Sequence, residues 1–386
     1  MVESTTDAGT LSTAASTPLA MPHSAASCCS LTSLPPLHVN LTHPIKMGRP
    51  IRILFRTGNY DGPWTCDVPC EYTTNDDDVG AEADGKKPVD VVVGEAGPPS
   101  ITSAVRAANP AVATAARSME SAVNYPSLKR LHEQVDAPMT TNLQTSAVPV
   151  IYLTRSSIAK WGAAPVVWNE SALAAHFGAG AGGSTSSPRS SACFVARNCH
   201  SKNGRESAVK RLSALLPGGV DRPGMCLNTL KWPKCADGKK CGKHAVLRRY
   251  PFYLAFENSD EEDYVSEKVF HALEAGVLPV YNGAPNVADF VPPNSIVDVK
   301  AEPFGGSLEK VAEHLESLLA NPAQYMRYFE WKWRGNLPAA FQRRFGGLVG
   351  THAKCRLCRW AYAKKYRLPW SKHEQRPMMQ TTGLRF

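Results

Sequence analysis

Residues 252–281 leave this chain the least freedom in what it can fold into. Phe252-Tyr253-Leu254-Ala255-Phe256 is a continuous apolar run, with the length and composition of a strand buried on both faces. Val269, Phe270 and Leu273 then share one face of a helix that Ser266 is placed to cap and Gly276 to stop. Val277-Leu278-Pro279-Val280-Tyr281 reads as the next strand. Strand, helix, strand with no room for a hairpin return means that the two strands run parallel. Open parallel sheets take ligands at the carboxyl ends of their strands, so residues 257–268 are the first place to look for chemistry.

The rest of the chain extends this pattern. Ile51-Arg52-Ile53-Leu54-Phe55 alternates as a strand should, Val89-Asp90-Val91-Val92-Val93-Gly94 is a short buried one, and residues 148–153 read similarly. Residues 178–191 are almost wholly Gly, Ala, Ser and Pro, the best linker in the chain. A strand follows over 192–196 and a helix around 205–216. Tyr325, Phe329 and Trp333 fall at helical spacing and read as core. The expected organisation is α/β: a disordered leader over 1–47, an α/β unit over 48–177, the linker over 178–191, a second α/β unit over 192–365, and a basic tail over 366–386. The cleft between the two units is the default ligand site.

Charge narrows the partners. Lys+Arg 43 against Asp+Glu 34 gives +9 and favours an anion. The basic residues are scattered in short runs such as Lys239-Lys240, with no long basic arm and no recognisable module, so a nucleic-acid partner is not expected. Eleven cysteines and two sequons, at Asn40 and Asn169, lean toward the secretory pathway. No apolar run approaches the ~20 residues of a membrane helix, and the first residues lack the order of a signal peptide. The Cys355-Arg356-Leu357-Cys358 pair has three readings: a zinc site completed by Cys66 and Cys70, a redox motif, or disulfides.

At residues 257–268 a strand end carries an amide and carboxylates, and a helix start carries a lysine, which is a ready anion site. The residues themselves, Phe256-Glu257-Asn258-Ser259 and Asp263-Tyr264-Val265-Ser266-Glu267-Lys268, resemble the signature of the α1,3-fucosyltransferases of glycosyltransferase family 10. Residues 275–285 continue the likeness. Ala116-Arg117-Ser118-Met119-Glu120-Ser121-Ala122, Thr140-Thr141-Asn142-Leu143, residues 64–70 and the Cys355–Cys358 ending resemble the plant-type core branch.

This resemblance implies two Rossmann-like domains facing a cleft, the glycosyltransferase type B arrangement. It implies inverting transfer of fucose from GDP-fucose, in α1,3 linkage, to the innermost GlcNAc of N-glycans on glycoproteins. Glu120 would be the catalytic base, with Glu95 as the fallback. Asn198, Arg205, Asn258, Tyr264, Glu267 and Lys268 would hold the donor, Arg205 and Lys268 facing its diphosphate. No metal would be obligatory, although a divalent cation such as Mn2+ could stimulate. The resemblance also implies disulfides joining Cys66 and Cys70 to Cys355 and Cys358, leaving at least one cysteine free. It further implies work in the Golgi lumen behind a membrane anchor that this sequence does not show. Two alternatives remain: a Lewis-type enzyme acting on outer lactosamine GlcNAc, and a catalytically silent nucleotide-sugar binder.

Overall fold

The computed structural model describes residues 49–56, 65–74, 88–95, 107, 109–177, 190–333, 339–372 and 374–377. The expected leader, the expected linker up to residue 189, the Asn40 sequon and the end of the basic tail lie outside these residues.

Two five-stranded sheets carry the molecule, each wholly parallel. The first has the order β2-β1-β3-β4-β5, built from β1 (Ile51–Phe55), β2 (Cys70–Thr73), β3 (Val91–Glu95), β4 (Ala113–Arg117) and β5 (Ala137–Met139). The second has the order β10-β9-β8-β6-β7, from β6 (Ala192–Cys193), β7 (Val220–Asp221), β8 (Phe252–Phe256), β9 (Leu278–Asn282) and β10 (Val297–Asp298). Each is a Rossmann-like sheet, in which the chain winds outward on one side and then returns to the other. In the second sheet the reversal falls between β6 and β8, which opens a crevice at their carboxyl ends.

The central strands read as expected because local pattern sufficed. All five residues of β8 are buried, and the helix Glu267–Ala275 lays Val269, Phe270 and Leu273 against the sheet. Gly276 ends that helix at φ 72, in the left-handed region, with its α-carbon against the Pro165 carbonyl so that no side chain fits. Ser266 stands at the helix start, but its hydroxyl does not cap the helix; it turns to Glu257 instead.

Residues 148–153 form no strand. Val148 and Val150 donate to Pro138 and Thr140 alongside β5, but Pro149 has no N–H to continue a ladder, and its carbonyl accepts from Arg356. This extended segment instead carries the chain toward the second sheet. Helix Arg155–Ala163 then packs on helix Glu267–Ala275, Trp161 lying 5.8 Å from Phe270, so residues 153–173 share the second unit's core. In return, helix Ala353–Lys365 leaves the second unit and buries Leu357, Trp360 and Ala361 against Ile51, Ile53 and Val91 of the first sheet. The packing units therefore differ from a division at 178–191: the first lends the second helices Arg155–Ala163 and Glu170–Phe177, and the second lends back helix Ala353–Lys365.

The returning helix is held by covalent and ionic links. Cys66 pairs with Cys355 and Cys70 with Cys358, as the resemblance implied, which removes the zinc and redox readings of these cysteines. Each crosslink closes a loop of nearly three hundred residues and contributes about 2–4 kcal/mol. Arg359, almost fully buried, meets Asp67 through Nε and a terminal nitrogen at 2.8–3.0 Å. Two further disulfides, Cys199–Cys226 and Cys235–Cys241, tie down the loops before and after β7, and Cys193 is free and buried.

Candidate active site

The crevice at the carboxyl end of β8 begins with Glu257, which is completely buried. A buried carboxylate persists only if its charge is matched, and here three bonds match it. The Ser266 N–H donates to Oε1 at 2.8 Å, the Ser266 hydroxyl to Oε2 at 2.7 Å, and Lys268 Nζ to Oε2 at 3.1 Å, while Lys268 also donates to the Ser266 hydroxyl at 2.7 Å. Gly283 makes room for this cluster, since a Cβ there would fall 2.5 Å from Glu257 Cγ and 2.6 Å from the Tyr281 hydroxyl. Burial works to lower the pKa of Lys268, but Glu257 and Glu267 outweigh it and push it up, so the ammonium stays charged. Glu267, the first residue of the helix, lies 3.7 Å from that ammonium. Burial works to raise its pKa, and Lys268 and Lys243 bring it down.

The loop after β6 forms the opposite wall. Lys202 N–H donates to the Asn258 carbonyl at 2.7 Å and Asn203 Nδ2 to the Glu257 carbonyl at 3.2 Å, lacing the two strand ends together. Arg205 opens its helix with a side chain only 2% exposed. One terminal nitrogen grips the Asn198 carbonyl at 2.5 Å, and the same nitrogen and Nε reach Glu206 at 3.1 and 3.2 Å. The Asn198 and Arg205 spacing is thus realised as an arginine clamping the asparagine's backbone. The Asn198 side chain itself accepts from the His200 N–H, and that of Asn258 from the Ser259 hydroxyl.

The other half of the molecule reaches this crevice from the carboxyl end of β4. Glu120 sits three residues beyond Arg117, and the buried Tyr264 hydroxyl donates to its Oε2 across the interface at 3.5 Å. Burial, then the charge of Glu257, hold that phenol well above its ordinary pKa, so Tyr264 stays a protonated donor. Tyr152 donates to the Met119 carbonyl at 2.9 Å and fixes the backbone beside Glu120. Glu120 also lines a cavity of about 170 Å³ with Lys129, Thr140, Thr141 and Asn142. Glu95, at the end of β3, is exposed and contributes nothing visible to this arrangement.

Three residues the sequence reading passed over hold the halves in register. The Ser259 and Ser121 hydroxyls share a 2.6 Å hydrogen bond, and Glu261 accepts from the Ala122 N–H at 2.6 Å. Asp263, at φ 66, accepts from the Leu143 N–H at 2.9 Å, exchanges two 3.0 Å bonds with Asn286 and receives Arg344 at 3.1 Å. Ser259 and Asp263 lie within the fucosyltransferase-like signature but were given no role, and Glu261 had only the acidic stretch Asp260-Glu261-Glu262-Asp263 to mark it, which reads equally well as a solvated loop. Glu120, Tyr264, Glu267 and Lys268 therefore converge on one crevice beside the buried Glu257, with Arg205 and Asn258 at its wall.

Residues 185–373 match the family model described as glycosyltransferase family 10 (fucosyltransferase), C-terminal part. The chain is 31% identical over 312 residues to a fucosyltransferase-like protein of Arabidopsis thaliana, covering 79% of this chain and 50% of that protein. It is 34% identical to an alpha-(1,4)-fucosyltransferase of Arabidopsis thaliana over 40% of each. It is also 34% identical to the GDP-fucose protein O-fucosyltransferase 3 of Xenopus laevis, over 37% of this chain and 31% of that one. The chain thus spans half or less of the length of these curated relatives. A crystal structure of an alpha1,3-fucosyltransferase superposes with a TM-score of 0.46 at 17% identity, covering 72% of this chain and 81% of that one.

Proposed function

We propose, on the match of residues 185–373 to the fucosyltransferase model of glycosyltransferase family 10, that this chain transfers fucose from GDP-fucose to a sugar hydroxyl with inversion. The observation that carries the reading is the meeting of Glu120 with Tyr264 across the interface, four residues before the Lys268 that neutralises Glu257. Inversion needs one displacement at the anomeric carbon. Glu120 takes the proton of the attacking hydroxyl as its oxygen bonds to that carbon, and the bond to the β-phosphate oxygen breaks with its electrons going to GDP. Lys268 and the amino end of helix Glu267–Ala275 face the charge that GDP gains. Arg205 spends Nε and one terminal nitrogen on Glu206 and Asn198, leaving the other terminal nitrogen for a phosphate oxygen. Asn258, Tyr264 and Glu267 take ribose or fucose hydroxyls. Since basic groups neutralise the diphosphate in this scheme, we expect a divalent cation to stimulate at most.

For the acceptor we propose the innermost GlcNAc of N-glycans, fucosylated at O3, on the resemblance of residues 116–122 and 140–143 to the plant-type core branch. The disulfides that staple helix Ala353–Lys365 fit an oxidising compartment and support a Golgi setting. Purified protein, GDP-fucose and an N-glycan with an accessible core, read by mass spectrometry, test this directly. A gain of one deoxyhexose on the innermost GlcNAc is expected. Transfer only to outer lactosamine would favour the Lewis-type reading, and neither transfer nor GDP binding would sink the assignment.

A further inference from the structure

A second cavity, of about 320 Å³, opens at the carboxyl edge of the first sheet, within the size range of small-molecule sites. Met119, the neighbour of Glu120, is part of its wall, and Phe55, Met139 and Val150 give it an apolar floor. Its charged lining is cationic: Arg117, Arg155, Lys354 and Arg356 reach it beside four neutral polar residues, and no carboxylate does. Among the described residues, the half-buried Arg117 and Arg155 have no ion-pair or hydrogen-bond partner for their side chains. The amino ends of two long helices, Arg155–Ala163 and Ala353–Lys365, also border it, adding partial positive charge from two directions. Two guanidinium groups held beside two helix amino ends, over an apolar floor, form a setting that only an anion with a carbon stem completes.

We propose that this cavity receives an acidic side chain of the acceptor's own peptide, an Asp or Glu close to the glycosylated asparagine. The inference rests on the proposed acceptor: a hydroxyl on the innermost sugar can reach Glu120 only if the peptide lies about one sugar away, and this cavity adjoins Glu120 through Met119. The carboxylate would sit between Arg117 and Arg155, with its methylenes on Phe55 and Met139. The enzyme would then select among glycosylation sites by the charge of their flanking residues.

The test uses the full chain, saturated with GDP-fucose, and synthetic glycopeptides carrying one glycan but Asp or Glu against Asn or Gln beside the glycosylated position. The acidic peptides should show kcat/KM about tenfold higher, the size of one charge-assisted hydrogen bond. Arg155→Gln should abolish that preference while transfer to the neutral glycopeptide and GDP binding stay unchanged. Equal transfer to acidic and neutral peptides by the unmutated chain would overturn the inference and leave the proposed function standing. A preference set instead by a sialylated glycan on a neutral peptide would assign the cavity to a sugar carboxylate, which also overturns it. Intact GDP binding with no transfer to any glycopeptide would instead remove the proposed function, and this inference with it.

Discussion

At the residue scale Glu120 draws on both sequence and structure: its neighbours over 116–122 carry the resemblance that proposes it as the base, and the Tyr264 contact ties it to the second half of the molecule. Glu120→Gln keeps the shape and removes the proposed base. We predict near-normal GDP affinity by calorimetry and turnover lower by about a hundredfold or more, and full activity would transfer the role elsewhere. Arg205→Ala should act the other way, weakening GDP binding, because it removes both the proposed phosphate contact and the clamp on Asn198. Lys268 has a structural duty beside its proposed chemical one. Lys268→Met strands a fully buried Glu257, so it should cost about 3–5 kcal/mol in urea unfolding, and adding Glu257→Gln should return part of that. An unchanged urea midpoint for Lys268→Met would mean that the two Ser266 bonds suffice to hold Glu257.

Helix Glu267–Ala275 shows how one element joins site and stability. Its first turn carries Glu267 and Lys268, and one turn later His271 meets Lys243 at 3.0 Å and the His244 ring at 5.1 Å. Burial, then the Lys243 ammonium, push His271 down to about 4 from its ordinary 6.5. Between those two values the unfolded chain takes up a proton that the folded chain refuses, so stability falls as pH drops through this window. The ring is only partly buried, so the loss is on the order of 1 kcal/mol. Urea midpoints at pH 5 and pH 7 should differ in that sense, and His271→Gln should narrow the gap; an unchanged gap would place the acid sensitivity elsewhere. The boundaries of this helix were legible because Ser266 and Gly276 bracket an apolar stripe. β4 was not, since Ala113-Thr114-Ala115-Ala116-Arg117 carries no strand pattern and becomes a strand only between β3 and β5.

At the scale of the whole molecule, the two units exchange helices, and the disulfides bind the exchange. Protein from an oxidising host, denatured without reduction, should expose Cys193 as the single free thiol among the nine cysteines described. Peptide mapping after alkylation checks this, and labelling at Cys66 or Cys355 would contradict the stapled arrangement. Replacing Cys355 and Cys358 by serine should lower stability by roughly 2–4 kcal/mol per bridge and free helix Ala353–Lys365 first. Asp263 works at the same scale: it accepts from Leu143 of one half and Arg344 of the other. Its replacement by alanine should therefore reduce turnover more than GDP affinity, by loosening the register that brings Glu120 to Tyr264.

By itself the sequence determined what is local. Apolar runs of strand length, a capped and stopped amphipathic helix, and the residue types at one strand end are all set within a dozen neighbours. The parallel sheets and the donor-side loop follow from them. Only the tertiary structure decided which helix covers which sheet, how Glu257 is neutralised, that Arg205 holds a backbone carbonyl, and that Glu261 and Asp263 bind the opposite half. Those contacts join residues more than a hundred positions apart in several cases. The reason is physical: the charge of a buried group is balanced by whatever folding places beside it, and a linear pattern holds no record of that neighbour.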